Sequence, residues 1–285
     1  CIWRVSFYRG VYMKTLPLLL INNSYPIYEV PNRFSWQHIT FLMIDVIFII
    51  TFLFILKNKA RKTQSIALYV LSIINVILFS GRIFFGWENA RIYNSGEKTT
   101  LLPLELCNLN IYITLLTLLL NSKTKENPIK RVLNNYMYFV CLIASSIPLI
   151  VFPDCHMITS GRNIFHYMFF DYWIIHTNLL LTSIALVYFK WFTPSIKDVK
   201  WVLLLLVFIF SSIFLITLGL RKTPYFKNAN YMYIFNDNNL PILRNLHKLI
   251  KLPFIYELPL IVPISIVFYL MALPFSFNKK EIKKC

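Results

Sequence analysis

Residues 39–56 read ITFLMIDVIFIITFLFIL, and this stretch decides the fold class. It approaches the roughly 20 apolar residues that a transmembrane helix needs, and Asp45 is its one charged residue. Six further stretches of similar length and character follow along the chain. The seven predicted spans are 39–56, 66–85, 101–120, 132–152, 164–189, 199–220 and 252–275. The sequence therefore predicts an all-α polytopic membrane protein with seven transmembrane helices.

Composition supports the same class. Of the 285 residues, 57% are hydrophobic and 14% are charged, whereas soluble domains carry about 25% charged residues. The net charge of +17 is spread over the ends of the apolar stretches, which excludes a nucleic-acid-binding surface. Glycine is scarce, with six in the chain, and no internal repeat is evident, so the usual signs of a secondary transporter are weak.

Basic residues predict the orientation in the membrane. The loops that follow spans one, three and five, together with the C-terminal tail, hold 15 Lys and Arg. The loops that follow spans two and four hold three. Because cytoplasmic loops are enriched in Lys and Arg, we expect the N-terminus outside and the C-terminus in the cytoplasm. The 221–251 loop departs from this pattern with six basic residues on the predicted outer side. Its aromatic segment NYMYIF (230–235) predicts interfacial contacts or a lid over a cavity.

The chain is expected to form one membrane domain, residues 35–277, in the cell membrane. An extracytoplasmic arm, 1–34, precedes it, and a basic cytoplasmic tail, 278–285, follows it. Met13 begins MKTLPLLL, which has the form of a natural start, so residues 1–12 are expected to be non-native. The cysteine spacing contains no CxxC and indicates neither a metal site nor a disulfide, and no cofactor is predicted.

Polar residues recur at a similar depth in several predicted spans. Ionisable groups in a bilayer are costly and normally face a bundle interior or a water-filled cavity. We therefore expect a shared polar chamber in the outer half of the membrane. Its candidate residues are Asp45, Arg82, Glu105, Cys107, Asn108, Asn110, His166, Asp171, His176, Asn178 and Glu257.

Helical geometry divides the candidates in the third span. At ~100° per residue, Glu105 and Asn108 share one stripe, whereas Cys107 and Asn110 share nearly the opposite one. A chamber is therefore lined by Cys107 and His176, or by Glu105 and His176, unless the proline before Glu105 distorts the start of the helix.

Two kinds of chemistry fit these residues. A cysteine within reach of a histidine is an activated nucleophile for acyl carbon, although a lone membrane cysteine such as Cys107 is more often a small buried apolar residue. A glutamate with histidines would instead hold a metal or relay protons, but no HExxH-like pair occurs. Arg82 fits either a snorkelling side chain or a phosphate anchor.

Several motifs carry a resemblance to a known family. They are FSWQHI (34–39), LPLELCNLNIYI (102–113), WIIHTNLLL (173–181), NYMYIF (230–235) and LPFIYELPLIVPISIVFYLMALPF (252–275). In this order they resemble the YwaF-type seven-helix membrane proteins, which are similar to a eukaryotic ether-phospholipid acyltransferase. The resemblance implies acyl transfer through a thioester on Cys107, with His176 as base. It also implies a characteristic polar set, without assigned roles, formed by Asn230, Tyr231 and Glu257.

One departure from that family concerns Glu105. Relatives often carry His or Gln there, and a carboxylate beside Cys107 disfavours a thiolate. A second departure is Asn228–Ala229, where relatives have a Gly before the NYMY-like stretch.

Three functions follow as hypotheses. The leading one is an outer-leaflet acyltransferase that moves a fatty acyl chain from a phospholipid through Cys107 to a lipid or lipoprotein acceptor. The alternative is a transporter, or the substrate-binding membrane subunit of one, which would tolerate Cys107→Ser. A structural or assembly factor would tolerate loss of both Cys107 and His176. The predicted substrate-binding residues are Arg82, Glu105, Asn108, His166, Asp171, Asn230, Tyr231 and Glu257.

Overall fold

The computed structural model describes residues 33–93, 102–123, 127–151, 167–224, 226–236 and 241–281. Within these ranges the chain is helical and contains no strand. Two short 3-10 segments and one π-helical turn interrupt or join the α-helices. The elements are α1 (Trp36–Leu56), α2 (Arg61–Tyr93), α3 (Leu106–Lys123), α4 (Pro128–Tyr136), the π-helical turn Met137–Cys141, α5 (Leu142–Val151), α6 (Tyr167–Tyr188), α7 (Ile196–Arg221), the 3-10 segment Tyr231–Tyr233, α8 (Pro241–Leu249), the 3-10 segment Ile255–Leu260 and α9 (Ile261–Glu281).

Six helical segments of the described chain are long and apolar enough to cross a membrane. They are Trp36–Leu56, Arg61–Gly81, Pro128–Val151, Phe169–Tyr188, Ile196–Arg221 and Ile255–Ser276. The prediction of an all-helical, multi-pass membrane protein is therefore confirmed. The remaining predicted span, 101–120, corresponds to α3, which is shorter and begins at Leu106 because residues 102–105 form turns.

Contacts between helix ends define two ends of the bundle. At one end the start of α1 meets the end of α5, where His38 Nε2 donates to the Leu149 carbonyl at 2.8 Å. At the other end the start of α2 meets the end of α1, where Gln64 Nε2 donates to the Leu56 carbonyl at 3.0 Å. We name the first the Glu105 end, because α3 begins there. The second is named the basic end, after its Lys- and Arg-rich loops.

The buried apolar residues form two main cores. One joins α1, α2, α3 and α6 and includes Leu68, Ile111 and Leu179. The other joins the π-helical turn, α7 and α9 and includes Phe139 and Val202. The cores meet along α3 and the α4–α5 segment, so these central elements fix how the two halves of the bundle sit together.

The segment after α7 belongs to the second core. Tyr231, Met232 and Ile234 are buried there, so these residues are not interfacial as one of the two predictions for NYMYIF had it. Met232 and Tyr233 line a cavity, which agrees with the other prediction.

Large apolar side chains cover the outside of the bundle. Phe54 of α1, Phe208 of α7 and Leu270 of α9 are examples of exposed ones. An apolar surface of this extent on long apolar helices requires a lipid bilayer around the protein.

Candidate functional site

Glu105 occupies the N-cap of α3. Its carbonyl accepts the first helical hydrogen bond, from Leu109 N at 2.9 Å. Its carboxylate Oε2 accepts a hydrogen bond from the backbone N–H of Met232 at 3.2 Å, across 127 residues of sequence. A carboxylate is also favoured at this position because the N-terminus of a helix carries partial positive charge. Glu105 therefore fastens the start of α3 to the segment that follows α7.

A tight turn after α7 presents that N–H group. Met232 and Tyr233 have φ values of 52° and 63°, in the left-handed region that residues other than glycine rarely adopt. The Asn230 side chain closes the turn, because its Oδ1 accepts from Phe235 N at 2.8 Å and its Nδ2 donates to the Asn236 carbonyl at 2.9 Å. Left-handed residues of this kind cost about 1–3 kcal/mol each and persist only where neighbours hold them.

The same turn is held from α7 and from the start of the last span. Arg221 Nη1 donates to the Ala229 carbonyl at 2.7 Å, and its guanidinium lies 4.4 Å from the centre of the Phe235 ring. Phe254 N donates to the Ile234 carbonyl at 2.9 Å. The turn is therefore a fixed part of the fold, positioned by three elements.

Tyr231 and Glu257 are buried beside Glu105. Tyr231 is 1% exposed and Glu257 is 7% exposed. The Tyr231 hydroxyl and the Glu257 Oε2 atom have no hydrogen-bond partner among the described residues. Burial, and after it the nearby Glu105 carboxylate, raises the pKa of Tyr231 well above its usual range. Glu257 also interacts electrostatically with Glu105, so two carboxyl groups and a phenol meet at this point.

An apolar cleft adjoins these groups. It has a cavity volume of about 200 Å³. Its lining is almost entirely hydrocarbon and aromatic, and Glu257 is the one ionisable carboxyl in it among the described residues. The lining residues are Leu206, Val207, Phe210, Met232, Tyr233, Leu243, Phe254, Glu257, Leu258, Leu260, Ile261 and Ile264. Such a cavity, with one polar group in an apolar wall, has the chemistry of an amphiphile-binding site.

Cys107 lies in the first turn of α3, on the stripe opposite Glu105. It is half-buried and forms no disulfide, and its Sγ donates to the Ala144 carbonyl of α5 at 3.3 Å. Asn110, on the same stripe, accepts a hydrogen bond from the Tyr136 hydroxyl at 2.8 Å. Cys107 and Asn110, which were predicted to share a stripe, therefore both face the α4–α5 segment.

His176 lies on α6 and is buried. Its Nδ1 is 2.7 Å from the Tyr172 carbonyl, and the two rings are 4.4 Å apart. Because a carbonyl oxygen can only accept, Nδ1 carries the proton of the neutral ring and Nε2 carries the basic lone pair. His38 has the opposite arrangement, since its Nδ1 accepts from Phe34 N at 2.9 Å and its Nε2 donates to a carbonyl. His176 therefore carries its ring proton on Nδ1, whereas His38 carries it on Nε2.

The predicted site residues separate into groups. Glu105, Tyr231 and Glu257 meet, and Asn230 shapes the turn that joins them. Cys107 follows Glu105 in the chain but faces α5. Its pairing with His176 of α6 stays a prediction. Buried positions on α3 and α6 are occupied by Asn108 and Asp171, whose binding roles also stay predictions.

Two predicted site residues and both chain termini cannot be compared with the structure. The side chain of Arg82, the residue His166, the arm up to residue 32 and the last four residues of the tail lie outside the described residues. Within the part of the chain that the structure describes, no three His, Cys, Asp or Glu side chains are grouped as a metal would require.

Sequence patterns did not reveal two neighbours of the site. One is the Met232 N–H, because a backbone donor in a left-handed turn leaves no mark in a hydropathy pattern. The other is Tyr136, whose hydroxyl lies within electrostatic range of Cys107. Tyr136 immediately precedes the π-helical turn Met137–Cys141, and such turns occur frequently at functional sites. In the sequence, the aromatic residues of this segment have the pattern of an ordinary hydrophobic core, so Tyr136 was not identified as a neighbour of the site.

Comparison with known proteins gives the family. No curated protein and no solved structure matched the chain. The TMEM164 family profile matches residues 33–272, which contains five of the six described spans in full, most of the sixth, and the residues Glu105, Tyr231 and Glu257. The protein therefore belongs to the TMEM164 family of transmembrane proteins.

Proposed function

We propose that the protein is a membrane-embedded acyltransferase that moves a fatty acyl chain from a phospholipid to Cys107 and then to a lipid or lipoprotein acceptor. The position of Cys107 carries the proposal. It is a half-buried thiol that forms no disulfide, in the first turn of α3, two residues after the carboxylate that binds a wall of the apolar cleft. The N–H groups of a first helical turn lack intrahelical partners and favour negative charge, which opposes the unfavourable effect of the Glu105 carboxylate on a Cys107 thiolate.

The chemistry consists of two successive acyl transfers, from the phospholipid ester to the Cys107 sulfur and from the resulting thioester to the acceptor. The Cys107 sulfur attacks the carbonyl carbon of the phospholipid ester, so that a C–S bond forms and the ester C–O bond breaks. The thiol proton passes to His176 Nε2 and from there to the departing lysophospholipid oxygen. The acceptor hydroxyl or amine then attacks the thioester carbonyl, and its proton returns through His176 to the Cys107 sulfur.

The hydrogen bonding of His176 supports its role as base. Its Nδ1–H is donated to the carbonyl of Tyr172, one helical turn earlier, so the basic nitrogen is Nε2. A base held in one tautomer by a backbone acceptor is the usual arrangement for proton transfer at a nucleophile.

Helix length supports a site recessed in the membrane. α3 has 18 residues and is about 27 Å long, slightly less than the roughly 30 Å hydrocarbon core. We take α3 as the seventh span, with its start below the membrane surface, so that Glu105 and Cys107 lie at the depth of phospholipid esters. The basic end faces the cytoplasm by the positive-inside bias, which directs the site to the outer leaflet of the cell membrane, with the N-terminus outside and the C-terminus inside.

Acyl transfer in proteoliposomes tests the proposal. A phospholipid with an isotope-labelled acyl chain is supplied with a lysophospholipid acceptor, and labelled product is measured by mass spectrometry. Cys107→Ser is expected to reduce transfer to the protein-free background. Cys141→Ala is the matched control, since Cys141 is the other described free cysteine and is fully buried. Undiminished transfer by Cys107→Ser would refute the proposal.

Transport of a small amphiphile is the second candidate function. It is favoured by the Tyr231 hydroxyl and the Glu257 Oε2 atom, which lack hydrogen-bond partners among the described residues and could bind a transported ligand. Transport predicts that Cys107→Ser retains activity in a cellular assay while Glu257→Gln loses it. Acyl transfer predicts loss in Cys107→Ser.

A further inference from the structure

We propose that the apolar cleft binds an amphiphile whose ammonium group is attached directly to its hydrocarbon chain, with the Glu257 carboxylate as counter-ion. This goes beyond the proposed acyl transfer, because it concerns a ligand site that would exist whether or not Cys107 carries an acyl group.

The first observation is the state of Glu257. It lines the cleft, it is 7% exposed, and its Oε2 has no hydrogen-bond partner in the described ranges, although its side chain also forms a hydrogen bond with the Tyr256 side chain. Glu105 adds a second carboxyl group within electrostatic range. A buried carboxylate without a compensating charge is costly, and a second one nearby increases the cost. A cation in the cleft would remove both penalties.

The second observation is the set of aromatic rings around the same space. Phe210, Tyr233 and Phe254 line the cleft together with Glu257. Aromatic faces attract ammonium groups, most strongly where water is excluded. The remaining lining is aliphatic, as in Leu206 and Ile264, and suits a hydrocarbon chain.

The third observation concerns phosphate. The lining contains no lysine or arginine among the described residues. The phosphate of an ethanolamine or choline phospholipid would therefore lie beside the Glu257 carboxyl group, and none of the described lining residues supplies a cation to offset it. A long-chain amine without phosphate satisfies the carboxylate and leaves no anion uncompensated, so this chemistry fits the cleft better.

Photolabelling of the full chain in maltoside micelles tests the inference. The probes are hexadecylamine and hexadecanol that carry the same diazirine in the chain, and labelled peptides are mapped by mass spectrometry. We expect the amine to label peptides of the cleft about tenfold more than the alcohol, the factor expected from one charge-assisted hydrogen bond. Equal labelling by the two probes would overturn the proposal.

Substitutions test whether Glu257 causes the preference for the amine probe. Glu257→Gln keeps the shape and hydrogen-bonding capacity but removes the charge, and it should bring amine labelling to the level of the alcohol. Asp45→Asn, a matched loss of a half-buried carboxylate on α1, should leave the preference unchanged. Val207→Trp narrows the cleft and should reduce labelling by both probes. An unchanged preference in Glu257→Gln would overturn the role of that carboxylate.

A competition experiment distinguishes a long-chain amine from a phospholipid headgroup as the source of the ammonium group. Unlabelled hexadecylamine should displace the photoprobe at lower concentration than lysophosphatidylethanolamine of the same chain length. Stronger displacement by the lysophospholipid would show that a phospholipid headgroup occupies the cleft, which contradicts a ligand without phosphate.

Discussion

Two polar clusters at opposite ends of the bundle differ in whether their atoms have partners. At the basic end, Asp198 is buried and its Oδ2 accepts from Arg131 Nε at 2.7 Å and from Asn135 Nδ2 at 3.1 Å. Asn135 in turn accepts from Ser195 N at 3.2 Å through its Oδ1. This network joins the start of α4 to the start of α7, and each of these contacts links two structural elements.

At the Glu105 end the cluster is incomplete. Glu105 has the Met232 N–H as partner, but Glu257 Oε2 and the Tyr231 hydroxyl have none among the described residues. Buried polar groups in folded proteins are almost always hydrogen-bonded, so such exceptions call for an explanation. The basic end therefore uses its polar residues to hold helices together, whereas the Glu105 end contains buried polar atoms without partners among the described residues, where we propose that a ligand binds.

Loss of Asp198 should have the largest effect on stability. Asp198→Ala removes two hydrogen bonds to a charged acceptor and leaves buried Asn135 without one partner, so we expect a loss of about 3 kcal/mol in unfolding free energy. Unfolding of the purified protein in mixed micelles measures it. Lys197→Ala, an exposed neighbour, is the control and should change little. An unchanged free energy of unfolding in Asp198→Ala would mean that the basic end does not hold the helices together.

Loss of the Glu105 hydrogen bond to Met232 N should lower the free energy of unfolding by less than loss of Asp198. Glu105→Ala removes the acceptor for Met232 N and a charge favoured at the helix start, with an expected loss of about 1–2 kcal/mol. Glu105→Gln keeps an acceptor oxygen and should cost less than half as much. Equal losses in the two variants would indicate that charge, rather than the hydrogen bond, fastens the turn.

Removal of Glu257 should have the opposite sign. Glu257→Met replaces a buried carboxyl that lacks a partner at Oε2 with an apolar side chain of similar length, so we expect a gain of about 1 kcal/mol in the absence of ligand. The same unfolding assay applies. A loss as large as that of Asp198→Ala would remove the distinction between the two clusters.

The smallest expected change in unfolding free energy comes from relieving the left-handed backbone conformation of Lys190 at the basic end. Lys190 is exposed, has a φ of 58° and follows the last turn of α6, where Trp191 N donates to the Leu186 carbonyl at 3.0 Å. Glycine is the usual residue at such a helix end, so Lys190→Gly should stabilise by roughly 0.5 kcal/mol. Lys190→Ala removes the same charge without relieving φ and should give no gain. Similar changes in both variants would attribute the effect to charge.

Much of the fold follows from the sequence. Long apolar runs such as 39–56 and 199–220 are sufficient to predict transmembrane helices, because the bilayer fixes both their length and their composition. The start of α3 was predicted five residues early. Hydropathy does not register that Glu105 ends the turn before the helix and caps it.

The site was predicted only in part. Glu105 and Glu257 are predicted as polar residues of a chamber, and Tyr231 enters only through the family resemblance. Their proximity depends on a left-handed turn at Met232 that no periodicity reports. The separation of Cys107 from Glu105 did follow from helical geometry. The basic-end network was not predicted, since Asp198 begins a helix and resembles an ordinary exposed charge.

The most direct test of the account is the mass of the Cys107 peptide from protein purified out of membranes, with and without neutral hydroxylamine. The account predicts a fatty acyl adduct on Cys107 that hydroxylamine removes and that is absent from the Cys141 peptide. An unmodified Cys107 after incubation with varied phospholipids, together with full cellular function of Cys107→Ser, would contradict it.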